Sequence, residues 1–380
     1  MRIGFDARYL SHGLIGGVRT YVYHLARLLP RVGRDHEFFF YIDTKAPLDL
    51  DRSELAPNVT LRTLTWRSPF SSVWNDVAIG RCMERDQVDV AHFPANAGPP
   101  GAYQLIVTLH DALNLFPMSQ HLRGFGRSPR KVAMMVYLGR QARAVLRHSW
   151  RIITVSEHAR AEIANRGRIR PEQIQAIHSG CSDAFQRVSD AGALQAVRER
   201  FSLPARFLLA DGIKNPGALL AAYDRLPAVV RADIALVFFT REAGPRPELA
   251  SRIDGRFIRL IVRPPLDELV ALMNLAHAFV FPSWYEGFGL PLVEAMRCGA
   301  PIIASTRGSI PEVVGGAGLL FDVESTEELH DRLTRILTEP GLPERLSRQS
   351  LERGGGFRWE RTASQVLDVY DAAFKARASR

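Results

Sequence analysis

Two carboxylates eight residues apart, Glu286 and Glu294, flank the run Gly287-Phe288-Gly289-Leu290-Pro291, which closely follows the apolar stretch Ala278 to Phe281. Ionised carboxylates accept hydrogen bonds from hydroxyls, so a pair flanking one loop can grip two parts of a polyhydroxylated ligand. Gly287 and Gly289 permit close backbone approach and positive φ, and Pro291 suits the first turn of a helix. Such a helix start offers free N–H groups and a positive dipole end to an anion such as a diphosphate. The same residues admit a plainer reading, with Glu294 complementing the dipole from the first turn and Glu286 a solvated loop acid.

Three further loops carry groups with chemical use. His110 and Asp111 end the apolar run Leu105 to Leu109; there a histidine can donate to a hydroxyl, with Asp111 fixing its tautomer or the loop. A satisfied core or surface histidine is the alternative. Lys214, in Ala210-Asp211-Gly212-Ile213-Lys214-Asn215-Pro216-Gly217, can neutralise a departing diphosphate in place of a metal ion, or be an ordinary surface lysine. Gly16 and Gly17, before a helical pattern through Leu29, are a weak phosphate signal, because any tight turn uses glycine. Arg19 beside them is either cleft-facing or solvent-exposed, and Arg263 in Val262-Arg263-Pro264-Pro265 is either a phosphate ligand or a solvated loop cation.

The elements that must position these groups alternate between β-rich apolar runs and longer helical patterns, which predicts α/β layers on parallel sheets. The first half carries Arg2 to Asp6, Glu37 to Ile42, Val59 to Leu64, Val88 to Phe93, Leu105 to Leu109, Ile152 to Val155 and Ile174 to Ile177. The second carries Phe207 to Ala210, Ile234 to Phe239, Phe257 to Val262, Ala278 to Phe281, Pro301 to Ala304 and Leu319 to Phe321. The polar stretch Ser182 to Pro204 is the expected junction, giving doubly wound domains over 1–190 and 200–356 and a last helical segment over 357–380. In doubly wound sheets ligands bind outside the carboxyl ends of the strands, where the loops above lie.

A chain of 380 residues with 46% hydrophobic and 23% charged content is long enough for two cores and ordinary for a globular protein. No apolar stretch reaches the roughly 20 residues of a membrane span. The opening residues have neither signal-peptide nor transit-peptide pattern, so a cytoplasmic location is expected. Cys82, Cys181 and Cys298 lack metal or redox spacing and are expected to be buried free thiols. The net charge is +9, and Ala112 to Ser156 contains no acid while holding Arg123, Arg127, Arg130, Lys131, Arg140, Arg143, Arg147 and Arg151. Residues 123–151 are therefore a candidate contact for anionic membrane at the inner face, with Val132, Met135, Val136 and Leu138 either interfacial or core-facing. Nucleic acid is not an expected partner, since the basic window lacks a recognition fold or stacking aromatics.

The segment Tyr285 to Met296, with its Glu, seven residues, Glu spacing, resembles the retaining GT-B glycosyltransferases of family four, the mannosyltransferase-like group 1 enzymes. The resemblance continues through Cys298 to Ser305, Ile310 to Val314 and Leu319 to Asp322, and includes Val155-Ser156-Glu157 and Ile177-His178-Ser179-Gly180. It implies two Rossmann-like domains facing a deep cleft, the first for an acceptor and the second for a nucleotide sugar. A C-terminal helix, introduced by Phe357-Arg358-Trp359-Glu360, would cross back onto the first domain.

By the same resemblance Glu294 would hold the donor ribose, and Glu286 would contact the transferred sugar. The backbone of Phe288, Gly289 and Leu290 would lie against sugar or diphosphate, and His110 beside the sugar. Gly16 and Gly17 would close over the diphosphate. Lys214-Asn215 matches the family's Lys-Asn pair, but the arginine that usually precedes that lysine is missing, and Arg263 is the candidate replacement. The expected reaction is metal-independent transfer of a hexose, mannose and a GDP-sugar donor being favoured, to a saccharide or lipid-linked acceptor in surface polysaccharide or glycolipid synthesis. No cofactor is expected. Retention would come from same-face attack, or from double displacement through Glu286. A nucleotide-sugar isomerase of the same fold and a catalytically silent binding module are the alternatives.

Overall fold

The computed structural model describes residues 1–65, 72–117 and 129–379, of which 72–74 and 129–131 are described in backbone only. The chain forms two compact units, one comprising Met1–Gly180 and Trp359–Arg380 and the other Cys181–Arg358.

In the first unit the strands are β1 (Arg2–Asp6), β2 (Glu37–Asp43), β3 (Val59–Leu64), β4 (Val90–Phe93), β5 (Gln104–Thr108), β6 (Arg151–Thr154) and β7 (Ile174–Ala176). They form one parallel sheet in the order β3-β2-β1-β4-β5-β6-β7. Helix α1 (Gly17–Val32) packs against the last helix, Trp359–Ala378, so that the chain's end completes this unit. On one face of the sheet Tyr41, Phe93, Val107 and Ile152 form a core with Val145 and Leu146 of the helix Pro129–His148. The strands read as near-continuous apolar runs because both faces of a parallel sheet are covered.

The second unit holds β8 (Phe207–Asp211), β9 (Ala235–Thr240), β10 (Ile258–Val262), β11 (Ala278–Phe281), β12 (Ile302–Ser305) and β13 (Gly318–Phe321). Their order is β10-β9-β8-β11-β12-β13, again parallel throughout. Strand order therefore reverses between β8 and β11, and at such a switch point the loops leave the sheet in opposite directions and open a crevice. The Lys214 loop follows β8 and the Glu286 loop follows β11.

The junction expected over Ser182 to Pro204 is displaced. The first unit stops at Gly180 rather than near 190, and the helix Ala191–Arg200 belongs to the second unit. The polar stretch is tied down there: Val188 N donates to Asn274 Oδ1 at 2.9 Å, and Arg297 Nε to the Phe185 carbonyl at 3.2 Å. Polarity marked a loop that finds partners in a packed domain, not a linker. The chain leaves and returns side by side, since Cys181 N donates to the Phe357 carbonyl at 3.1 Å. Cys181 and Cys298 are buried, and burial pushes both thiols above the usual range; Cys82 is only partly buried.

Candidate active site

The loop after β8 is shaped by its own backbone. Burial pushes the Asp211 carboxyl up, and its Oδ1 accepts the Ile213 N–H at 3.0 Å. Asn215 is left-handed at φ 54°, a conformation its short polar side chain tolerates, and it opens the helix Pro216–Asp224. Its Nδ2 donates to the Pro282 carbonyl at 3.0 Å, which ties this loop to the one after β11. The sequence therefore delivers Lys214 to Glu286, with Nζ 2.8 Å from Oε1.

Glu286 is held from three sides. Ser283 Oγ donates to Glu286 Oε1 at 2.7 Å. The Glu286 carbonyl accepts from Ser309 N and Oγ, both at 3.1 Å. Gly308, at φ +60°, lies so close beneath that a Cβ there would stand 2.5 Å from the Glu286 carbonyl oxygen. Neither Gly308 nor Ser309 was singled out in the sequence. Both follow β12 and act on Glu286 through its backbone, which spacing along the chain does not reveal.

Gly289 adopts φ 94°, which a side chain would strain, and opens the helix Leu290–Arg297 with Pro291 in its first turn. The first N–H groups of that helix lack intrahelical partners. Phe288 turns its ring inward, 5.7 Å from Phe357, so only its backbone is placed for a ligand. Glu294 is not in the first turn, as the dipole reading required. It is the fifth residue of the helix, 8% exposed, and its Oε2 lies 2.6 Å from Nη2 of Arg241. Burial works against the charged guanidinium, but the Glu294 carboxylate, with Asp211 and Cys181 adding to it, holds the Arg241 pKa above its usual value.

Arg241 is a member of this cluster that the sequence analysis does not name. Its signal was visible: a lone cation directly after the buried strand β9, whose six residues are all buried. Arg263, the candidate chosen instead, follows the edge strand β10 at φ 50° and is exposed, and its guanidinium meets no carboxylate among the described residues. The Arg263 loop leaves the edge strand, two strands from the switch point, whereas Arg241 follows β9, one strand away.

In the first unit, His110 follows β5, its ring edge-on to Tyr21 with centroids 5.0 Å apart. Its Nε2 lies 2.8 Å from the Pro94 carbonyl, which can only accept, so Nε2 carries the proton. Burial lowers the His110 pKa to about 4, leaving it neutral near pH 7. Nδ1 is then an acceptor, whereas the sequence reading allowed a donor. Asp111 organises the loop through the Leu113 N–H at 2.8 Å, while the Pro94 carbonyl sets the tautomer. Behind lies His92, lowered to about 3 by burial, between Tyr370 Oη at 2.6 Å and Thr108 Oγ1 at 2.8 Å. Gly16, at φ 129°, opens α1, and Gly17 is its first residue. Arg19 is paired with Asp49, Nε to Oδ2 being 2.9 Å.

The second unit thus gathers Lys214, Glu286, Glu294 and the Phe288 to Leu290 backbone, with Arg241 added and Arg263 apart. Gly16, Gly17, His110 and Asp111 belong to the first unit. Of the basic segment, Arg123 and Arg127 lie outside the described residues, as do the side chains of Arg130 and Lys131. Over the described remainder, Ala142, Val145 and Leu146 face the core, while Met134, Val136, Arg140, Arg143 and Arg147 are exposed. Among the described residues no helix is long and apolar enough to cross a membrane.

Comparison with known proteins bears on the family and the fold. The family model "Glycosyltransferase Family 4" matches residues 15–185, and "Glycosyl transferases group 1" matches residues 214–353. The chain is 29% identical to an MMP alpha-(1->4)-mannosyltransferase of Mycolicibacterium hassiacum, over 96% of this chain and 97% of that one. It is 30% identical to the serotype-specific mannosyltransferase WbdA of Escherichia coli over 58% of its length, an alignment that spans only 28% of that relative. Among solved structures, sucrose-phosphate synthase from Thermosynechococcus elongatus superposes with a TM-score of 0.74 at 20% identity, covering 99% of each chain. Two Rossmann-like parallel-sheet domains, the paired glutamates on their loop and helix, and family models that match one domain each leave one conclusion: this chain belongs to the family 4, group 1 glycosyltransferases of GT-B fold.

Proposed function

We propose that this protein is a retaining hexosyltransferase that moves a hexose, mannose first among candidates, from a nucleotide diphosphate sugar to a saccharide or lipid-linked acceptor without a metal ion. The observation that carries the reading is the pair of acid–base contacts at the switch point of the second sheet, Lys214 with Glu286 and Arg241 with Glu294. Carboxylates there can accept from sugar and ribose hydroxyls while the cations face the phosphates. The donor's C1–O(phosphate) bond breaks as the acceptor oxygen bonds C1 from the same face. The acceptor proton passes to the departing phosphate, and a nucleoside diphosphate leaves. Lys214 stabilises the charge that develops there.

Same-face attack is preferred to double displacement through Glu286 for a specific reason. Glu286 Oε1 is engaged by both Lys214 and Ser283, which lowers the availability of its electrons for attack on C1. Mannose is favoured because the relatives above are named mannosyltransferases, and a GDP-sugar is the favoured donor form. The exposed stripe Val136, Arg140, Arg143 and Arg147 supports peripheral contact with an anionic membrane carrying the acceptor. Sedimentation with anionic but not neutral vesicles is the expected result; equal sedimentation would remove that partner.

Thermal unfolding with GDP-, UDP-, dTDP- and ADP-sugars, in wild type and Glu294→Ala, tests the donor reading. A ligand at 100 times its dissociation constant stabilises the folded state by about 2.7 kcal/mol. One nucleotide class should stabilise the wild type and lose that effect in the variant. Stabilisation by none of them would contradict the reading.

A further inference from the structure

Arg241 holds a place that the comparison of motifs leaves empty. A nucleoside diphosphate leaving group concentrates negative charge on two phosphates, and Lys214 is the only cation in the loop after β8. Arg241 follows β9, which pairs directly with β8 through Asp211 and Phe239, so the two cations leave adjacent strands at the same edge. Its Nη2 engages Glu294, but no carboxylate or carbonyl among the described residues takes Nε or Nη1. The side chain is 36% exposed against 10% for the Glu294 side chain. The guanidinium is therefore anchored at one end and open at the other. A planar guanidinium with two free nitrogens, Nε and Nη1, suits phosphate oxygens better than any ammonium.

We propose that Arg241 is a diphosphate ligand: it bridges from Glu294 to a phosphate oxygen of the donor and supplies the second cation in place of the arginine absent ahead of Lys214. This rests on the reading of the second unit as the nucleotide-sugar site. Because Glu294 is the carboxylate assigned to ribose, the bridge also fixes the span between ribose and phosphate. A residue that merely held Glu294 in position would act on the ribose alone, and the two roles separate in a binding series.

Calorimetric titration with the nucleoside diphosphates GDP, UDP, ADP and dTDP identifies the class that binds wild type; the monophosphate and nucleoside of that class follow. Arg241→Ala should weaken the diphosphate by roughly ten- to hundredfold, as for a lost charge-assisted hydrogen bond, with the monophosphate hit less and the nucleoside hardly affected. Arg241→Lys should recover part of the loss. In a Glu294→Ala background, Arg241→Ala should still cost diphosphate affinity. Unliganded melting of each variant reports folding, and Arg241→Ala/Glu294→Gln removes the unpaired carboxylate if the single variant melts early. Equal loss for diphosphate, monophosphate and nucleoside, vanishing in the Glu294→Ala background, would overturn the proposal and leave Arg241 as a positioning residue. If the wild type binds no diphosphate, the donor reading itself fails and the proposal with it.

Discussion

At the scale of single residues, the candidate site is a set of charges each given a partner before any ligand arrives. Glu286 is anchored by Lys214, Ser283 and Ser309, so under the proposed function it would meet a sugar without reorganisation, the condition under which electrostatic stabilisation is most effective. Glu286→Gln keeps the shape and Ser283 contact but removes the charge. Steady-state kinetics should then show turnover reduced by about two to three orders of magnitude with the donor KM little changed, as for an interaction made chiefly in the transition state. A KM effect with unchanged turnover would make Glu286 a simple binding residue. His92 and His110 supply a pH signature. Their folded pKa values, about 3 and about 4, lie below that of an unfolded histidine. The unfolded chain therefore binds protons that the folded chain refuses, and stability falls as pH drops from about 6.5 toward 4. Denaturation across that range should show the loss, with a shallower slope in His92→Gln/His110→Gln; identical slopes would contradict the assignment.

At the scale of elements, the thirteen strands among the described residues, their parallel sense and the loops that hold the candidate residues were legible, because buried parallel strands write unbroken apolar runs. The Glu286 and Glu294 pair was legible for the same reason, since loop and helix follow β11 in sequence. What escaped depends on contacts between elements distant in the chain. Arg241 meets Glu294 across 53 positions, and Ser309 meets the Glu286 carbonyl across 23. Gly308 makes the element-scale point testable. Gly308 and Gly316 both have positive φ, yet a Cβ meets the Glu286 backbone at the first and nothing within 4 Å at the second. Alanine at either site carries backbone strain of about 1 to 2 kcal/mol. Only Gly308→Ala should add displacement of the Glu286 loop, seen as a larger loss in denaturant stability and in donor turnover. Equal effects at the two glycines would mean that the close approach has no functional weight.

At the scale of the whole molecule, each unit is a doubly wound sheet whose candidate residues leave from carboxyl ends, and the two family models divide along the same lines. The domain boundary was the least legible feature at this scale. The stretch expected to link the units is bound by Asn274 and Arg297 into the second, and such bonds are invisible to composition. Transfer with retention from a nucleotide sugar is read out by the anomer released during slow donor hydrolysis. With GDP-mannose, α-linked at C1, proton NMR early in the reaction should show α-mannose appearing first and mutarotating to the equilibrium mixture, with the signal lost in Glu286→Gln. First appearance of β-mannose would contradict retention, and failure to consume any nucleotide sugar, with or without acceptors, would contradict transfer itself.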